Sequence, residues 1–154
     1  MKNLLSFILF FLISSALFAQ TGKVIKIKDG DTIVVLDSKN NQTTLRLAEV
    51  DCPESSQDFG KKAKSFTADL VALKIITYKV VDTDRYGRSI AKVYYDNKYL
   101  SAEIIKSGYG WHYKKYSNSA ELSNLESVAK SKRIGLWADK NCIAPWDFRK
   151  NKKA

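Results

Sequence analysis

Asp29-Gly30 lies between two runs rich in β-branched residues, and this restricts the fold more than any other feature of the chain. Asp-Gly flanked by alternating apolar residues is a hairpin signal, because glycine supplies the backbone conformation a tight turn needs. Gly22 to Lys28 reads as a first strand with Ile25 and Ile27 on one face, and Thr32 to Leu36 as a second. Asp37-Ser38-Lys39-Asn40-Asn41 gives another turn, and Thr43 to Ala48 a third strand. Three strands in sequence with short turns make an antiparallel meander. In the third, Leu45 and Leu47 face a core and Arg46 points the other way, since side chains alternate. Pro53 then ends the strand and holds Cys52 extended.

The next segment changes period. Phe59, Ala63, Phe66, Leu70 and Leu73 follow helical spacing, with Asp58 as the expected N-cap. Ile75 to Val81 and Ser89 to Tyr95 read as fourth and fifth strands, joined by the charged loop Asp82–Arg88. Ser101 to Ser107, ended by Gly108, is a second helix. Ala120 to Lys132 is a third, with Leu122, Leu125 and Val128/Ala129 inward. Five strands with three helices predict an α+β domain built on a small closed barrel, an architecture that often presents a face to oligonucleotides. No repeat or linker divides the chain, so residues 20–154 are one expected domain.

Residues 1–19 are expected to be a signal peptide. Met1-Lys2-Asn3 is a short positive start, Leu4 to Phe18 is almost wholly apolar, and Ala19 precedes polar Gln20. The run is shorter than the roughly 20 residues of a spanning helix. A secreted or periplasmic protein is the expectation, with no stable membrane association after cleavage. Two cysteines remain, Cys52 and Cys142, and in an exported chain they permit a disulfide tying the tail to the Pro53 loop. The alternative is two free thiols.

The formal net charge is +10. An excess of this size suits a polyanionic partner such as nucleic acid. Asp31 follows the first turn and Asp51 follows the third strand, so meander pairing can place them side by side. Like-charged carboxylates are poor neighbours unless a cation lies between them. The available ligands are oxygens and His112 is the single histidine. That argues against zinc and for a hard cation, Ca²⁺ before Mg²⁺. Arg46 and Arg88 carry the planar fork suited to phosphate. With no histidine placed for proton transfer, a carboxylate takes that role, and Glu54 is the candidate. Metal, carboxylate base and two arginines are what phosphodiester hydrolysis requires.

Asp29-Gly30-Asp31-Thr32, Arg46-Leu47-x-x-x-Asp51-x-Pro53-Glu54 and Asp84-Arg85-Tyr86-Gly87-Arg88 resemble the signature segments of the staphylococcal nuclease (thermonuclease) family, in order and spacing across about residues 22–137. The tail Ala144-Pro145-Trp146-Asp147-Phe148-Arg149 resembles the ending of many secreted bacterial members. The resemblance implies an OB-fold barrel and Ca²⁺-dependent cleavage of DNA and RNA at the 5′-oxygen–phosphorus bond, leaving 3′-phosphate ends. By motif, Asp31, Asp51 and the Cys52 carbonyl are metal ligands. Arg46 and Arg88 are the phosphate and transition-state arginines, and Glu54 is the general base. Arg85 stands where the prototype has lysine, Cys52 where it has threonine, and Tyr86 matches a substrate-contacting tyrosine. Tyr113 and Tyr116 lie in the segment that positions the base, and His112 is expected to be structural. Single-stranded or unwound substrates and a monomer are the further expectations. The rival reading is a binding-only OB module, which should lack one of Asp31, Arg46, Asp51, Glu54 or Arg88; all five are present.

Overall fold

The computed structural model describes residues 19–152. The leader expected over residues 1–19 therefore lies outside the described residues, except for Ala19. Among those residues no helix is long and apolar enough to cross a membrane.

Strand β1 (Gln20–Asp29) pairs antiparallel with β2 (Thr32–Leu36), and β2 with β3 (Gln42–Leu47), as the turns require. A two-residue strand β4 (Val50–Asp51) and helix α1 (Gly60–Val71) follow. The long strand β5 (Ile75–Thr83) pairs with both β1 and β6 (Ser89–Tyr95). The order β3-β2-β1-β5-β6 closes on itself through a parallel contact of β3 with β6, Leu45 opposite Ser89 and Leu47 opposite Ala91. This is the expected five-stranded OB-type barrel. Closure needs curvature, which register shifts in β1 and β5 provide. The β1 shift begins after Val24, and it puts Val24 in the core where strict alternation favoured Ile25.

The remaining elements are β7 (Lys98–Tyr99), α2 (Leu100–Lys106), β8 (Trp111–His112), α3 (Ala120–Ser131), a 3₁₀ turn (Gly135–Ala138) and α4 (Pro145–Asn151). The chain thus has four α-helices among the described residues, one more than expected. The extra one, α4, begins with Pro145 in its first turn, where a missing N–H costs nothing. Val24, Ile33, Val35, Leu45, Leu47, Ile76, Ala91, Val93, Leu100 and Ile104 form the buried centre of the barrel and its cap.

Three local expectations need correction. Helix α1 is capped not by Asp58 but by Phe59, which takes a left-handed backbone (φ 65°) without a side-chain cap bond. Its buried stripe is Gly60, Ala63, Thr67 and Val71, with Phe66 and Leu70 at the margin. Leu73 is beyond the helix and 69% exposed. Small residues face inward because α1 lies against the Asp29-Gly30 turn: a Cβ on Gly30 would come within 2.9 Å of the Ala63 Cβ, and the Thr67 hydroxyl donates to the Gly30 carbonyl at 2.6 Å. In α3 the inward residue is Ala129, while Val128 is exposed; the N-cap is Ser119, whose Oγ accepts from the Leu122 N–H at 3.2 Å.

Candidate active site

The β3 alternation behaves as its sequence dictates. Leu45 and Leu47 are buried in the barrel, and Arg46 turns outward onto the polar end. Pairing of Thr32 with Arg46, and a bond from the Leu47 N–H to the Asp31 carbonyl at 2.8 Å, bring the β1–β2 turn beside the end of β3. Asp31 and Asp51, 20 positions apart in the chain, consequently converge on one atom. Arg46 Nη2 lies 3.2 Å from Asp31 Oδ2 and 2.8 Å from Asp51 Oδ1. Arg46 Nη1 donates to the carbonyls of Leu47 and Val50 at 2.7 and 2.8 Å, which fixes its plane. The Cys52 N–H donates to Asp31 Oδ2 at 2.7 Å, so the Cys52 backbone is part of the same cluster.

The resulting cleft has a volume of about 760 Å³. Asp31, Arg46, Asp51, Cys52, Glu54, Arg85, Tyr86, Arg88, Tyr113 and Tyr116 all line it. The charged β5–β6 loop forms one wall. There Asp84 takes the N–H of Tyr86 and of Arg88 and holds Arg88 Nε at 2.7 Å. The terminal nitrogens of Arg88 have no hydrogen-bond partner among the described residues. Tyr86 is 68% exposed, with the Arg85 guanidinium over its ring at 4.9 Å. The opposite wall is aromatic: Tyr113 and Tyr116 meet edge to face with centroids 4.9 Å apart.

Among the cleft residues that sequence reasoning gave no role, Arg149 makes the strongest contacts. It comes from α4, 98 positions from Asp51. Its Nη2 lies 2.7 Å from Asp51 Oδ2 and its Nη1 2.7 Å from Glu54 Oε1. Two guanidiniums, Arg46 and Arg149, and three carboxylates, Asp31, Asp51 and Glu54, are therefore joined in one ion-pair cluster. Burial pushes Asp51 above the usual carboxylate range, aided by the Asp31 charge and opposed by Arg149 and Arg46. Against the cost of their own burial, the carboxylates hold Arg46 and Arg149 more firmly charged. Asp31 and Asp51 already share one cation, the Arg46 guanidinium, and two such adjacent carboxylates with oxygen as their only donor type also suit a hard divalent ion. Among the described residues no group of three or more His, Cys, Asp and Glu forms a metal cage, so such an ion would draw the rest of its shell from carbonyl, water or substrate oxygens.

The disulfide does not form. Both cysteines are free thiols, Cys52 buried and Cys142 partly so. Cys52 turns its sulfur into the core: Cβ positions on Gly30 and Gly110 would come within 3.1 and 3.2 Å of it. Burial pushes its thiol well above the ordinary value, which keeps it protonated and inert.

Glu49 lines the cleft and organises its aromatic wall. It sits at φ 67° and accepts from the Tyr99 hydroxyl (2.8 Å), Lys92 (3.1 Å) and the Ser117 hydroxyl (3.0 Å). Its carbonyl accepts from the Tyr113 N–H at 2.9 Å. His112 joins this network by 2.8 Å and 3.0 Å contacts with Ser117 and Ser123, and burial lowers its pKa, as suits a structural histidine. Burial would raise the Glu49 pKa, but the bonds from Tyr99, Lys92 and Ser117 outweigh it and hold the carboxyl below its ordinary value of 4.5. A depressed carboxylate adds stability that is complete above the unfolded-state value and is lost as pH falls through the folded one. Glu49→Gln is therefore expected to lower stability by a constant amount at neutral pH and to narrow its gap from wild type below about pH 4.5. Urea titrations between about pH 3 and about pH 7 measure this, and a gap that does not change with pH would exclude the role.

Residues 44–139 match the family model described as staphylococcal nuclease homologue. An uncharacterized endonuclease of Haemophilus influenzae is 41% identical over 152 residues, covering 97% of this chain and 85% of that protein. A micrococcal nuclease of Shigella flexneri is 37% identical over 144 residues, covering 86% and 82%. A staphylococcal-like nuclease of Arabidopsis thaliana is 39% identical over 109 residues, 71% of this chain and 34% of that one. The family match runs from the end of β3 through the 3₁₀ turn, leaving out β1 and β2, and the Haemophilus alignment extends over almost the whole sequence. The family match spans more than half of the sequence and the Haemophilus relative aligns with nearly all of it, and on these two matches the chain belongs to the staphylococcal nuclease family.

Proposed function

We propose that this protein is a Ca²⁺-dependent, sequence-nonspecific nuclease that cleaves DNA and RNA and leaves 3′-phosphate ends. The coarser reading, a hydrolytic nuclease, rests on the family and on relatives that carry that name. The observation behind the finer one is the convergence of Asp31 and Asp51 on a single point, in a cleft that also contains Glu54, Arg46 and Arg88.

Asp31, Asp51 and the Cys52 carbonyl would hold the ion. Ca²⁺ there supplies positive charge against the phosphate oxygens and lowers the cost of building negative charge on them. The chain's own groups supply the rest. Arg88 offers its terminal nitrogens as a fork to the phosphoryl oxygens, and Arg46, whose terminal nitrogens are held by Leu47, Val50, Asp31 and Asp51, adds positive charge beside them. Glu54 lines the cleft, its Oε1 held by Arg149 and its Oε2 without a hydrogen-bond partner among the described residues. Glu54 takes the proton from the attacking water as the water oxygen bonds to phosphorus. The bond from phosphorus to the 5′-oxygen breaks, and that oxygen takes a proton from solvent. Arg85 and Tyr86 contact the flanking phosphate, and Tyr113 and Tyr116 present π-faces to bases without choosing among them. We place the protein outside the cytoplasm, as a monomer that prefers single-stranded or unwound substrate.

The test is incubation of the chain from Gln20 onward with DNA and with RNA, in Ca²⁺ and in chelator. Cleavage of both in Ca²⁺, at least about 10²-fold faster than in chelator, is the expected result. Cleavage that chelator leaves untouched would remove the metal from the reading.

A further inference from the structure

A second cavity of about 490 Å³ lies beside the cleft, on the far side of Tyr113. Trp111, Tyr113 and Trp146 supply its aromatic walls. The Tyr113 and Trp146 rings are parallel within 2°, with centroids 5.7 Å apart, and Trp111 meets Trp146 at 74°. Lys114, Lys115, Lys130 and Lys150 also line it, and the one carboxylate among its lining residues is Glu126. Glu126 is already spent: it takes Lys114 at 3.2 Å, Lys130 at 3.1 Å and the His112 N–H at 3.1 Å. Lys150 meets Asp147 only at 3.6 Å, and Lys115 lies over the Tyr116 ring at 5.4 Å. The cavity therefore joins flat apolar faces to an uncompensated excess of ammonium groups. A nucleotide matches that composition: its base has a π-face on either side and its phosphate carries the charge.

The cavity is also in register with the cleft. Tyr113 and Lys115 line both. Trp146 of the cavity and Arg149 of the cleft are three positions apart on α4, so they lie on one helix face at neighbouring positions. Arg149 pins that face to Asp51 and Glu54. A strand whose scissile phosphate meets the cleft arginines thus reaches the cavity with an adjoining nucleotide.

Resting on the nuclease reading, we propose that the Trp111–Tyr113–Trp146 cavity is a nucleotide subsite: it stacks one base of the substrate strand next to the scissile position and holds its phosphate with Lys115 and Lys150. Helix α4 is thereby part of the substrate-binding surface, and it lies outside the 44–139 stretch that defines the family match.

The test is equilibrium binding of a fluorescent deoxyadenosine octanucleotide in chelator, followed by anisotropy, so that it does not depend on turnover. Trp146→Ala is expected to raise Kd about tenfold, as loss of one stacked base should, with Trp146→Phe within about threefold of wild type. Lys150→Glu provides the arm that leaves the aromatic stack in place. It is expected to weaken binding several-fold more than Lys61→Glu, an exposed α1 residue of equal charge that lines neither cavity. A Trp146→Ala effect within twofold, or equal losses for Lys150→Glu and Lys61→Glu, would overturn the subsite and leave a general electrostatic surface. If wild type cleaves neither DNA nor RNA, the nuclease reading fails, while the binding comparison still decides the subsite.

Discussion

Replacing Arg88 with lysine is expected to lower kcat about 10³-fold or more with little change in folding stability. The magnitude is that of losing an arginine that stabilises charge on a phosphoryl group in its transition state. The reason is geometric. Asp84 holds Nε at 2.7 Å, so the guanidinium plane is fixed and its terminal nitrogens are presented together. A lysine at 88 has one compact charge, and Asp84 stands ready to capture it. The side chain is 36% exposed and its ion pair lies within its own loop, so the barrel does not depend on it. Arg46 would make a less informative variant, because its loss leaves Asp31 and Asp51 buried against each other and mixes stability with catalysis. Steady-state rates and thermal midpoints on the same preparation separate the two effects. A kcat within tenfold of wild type would mean Arg88 does not meet the transition state.

Glu54→Gln should cost about 10²- to 10⁴-fold in kcat, the range for removing a positioned general base. Glutamine keeps the shape, and its amide oxygen can still accept from Arg149 as Glu54 Oε1 does at 2.7 Å. What it loses is the capacity to take a proton. Oligonucleotide affinity in chelator is expected to change less than about threefold, because the substitution leaves the positive charges of Arg46 and Arg88 in the cleft. A large fall in affinity with kcat preserved would assign Glu54 to binding and leave the base to be found elsewhere in the cleft.

The parts of this site that could be read from the chain are those governed by short-range rules. Alternation along β3 put Leu45 and Leu47 inside and Arg46 outside. The Asp29-Gly30 turn and the Pro53 stop brought Asp31 and Asp51 to one end of the meander, and the ten expected residues do share a cleft. What escaped depended on long-range placement. Arg149 carries no local mark of its target: the tail Ala144–Arg149 stood out by resemblance, and Pro145 marked a helix start, but neither signal pointed to Asp51 and Glu54. The cysteine parity suggested a staple, yet Cys52 follows outward-facing Asp51 in an extended segment, and alternation alone would have sent its sulfur inward. The α1 stripe was misjudged by one position because bulky residues were taken for the buried ones. Close approach to the Gly30 turn selects Ala63 and Thr67, and the Glu54 carbonyl leaves no room for a Cβ at Gly60. Glu49 was passed over because its partners Lys92, Tyr99 and Ser117 come from three separate segments.

The bond from Arg149 to Asp51 spans 98 positions, and the closing contact of β3 with β6 joins segments more than 40 apart. Contacts of such long range make barrels of this kind slow to form compared with helical proteins of similar size. They also set an order of assembly during synthesis. A nascent chain can pair β1, β2 and β3 as soon as they emerge, but it cannot close the barrel before Ala91 is made. The guanidinium that braces Asp51 and Glu54 comes 58 positions after Ala91. The cleft is therefore completed only once Arg149 is made, and a chain interrupted between the two carries the motifs of the site without the helix that holds them together.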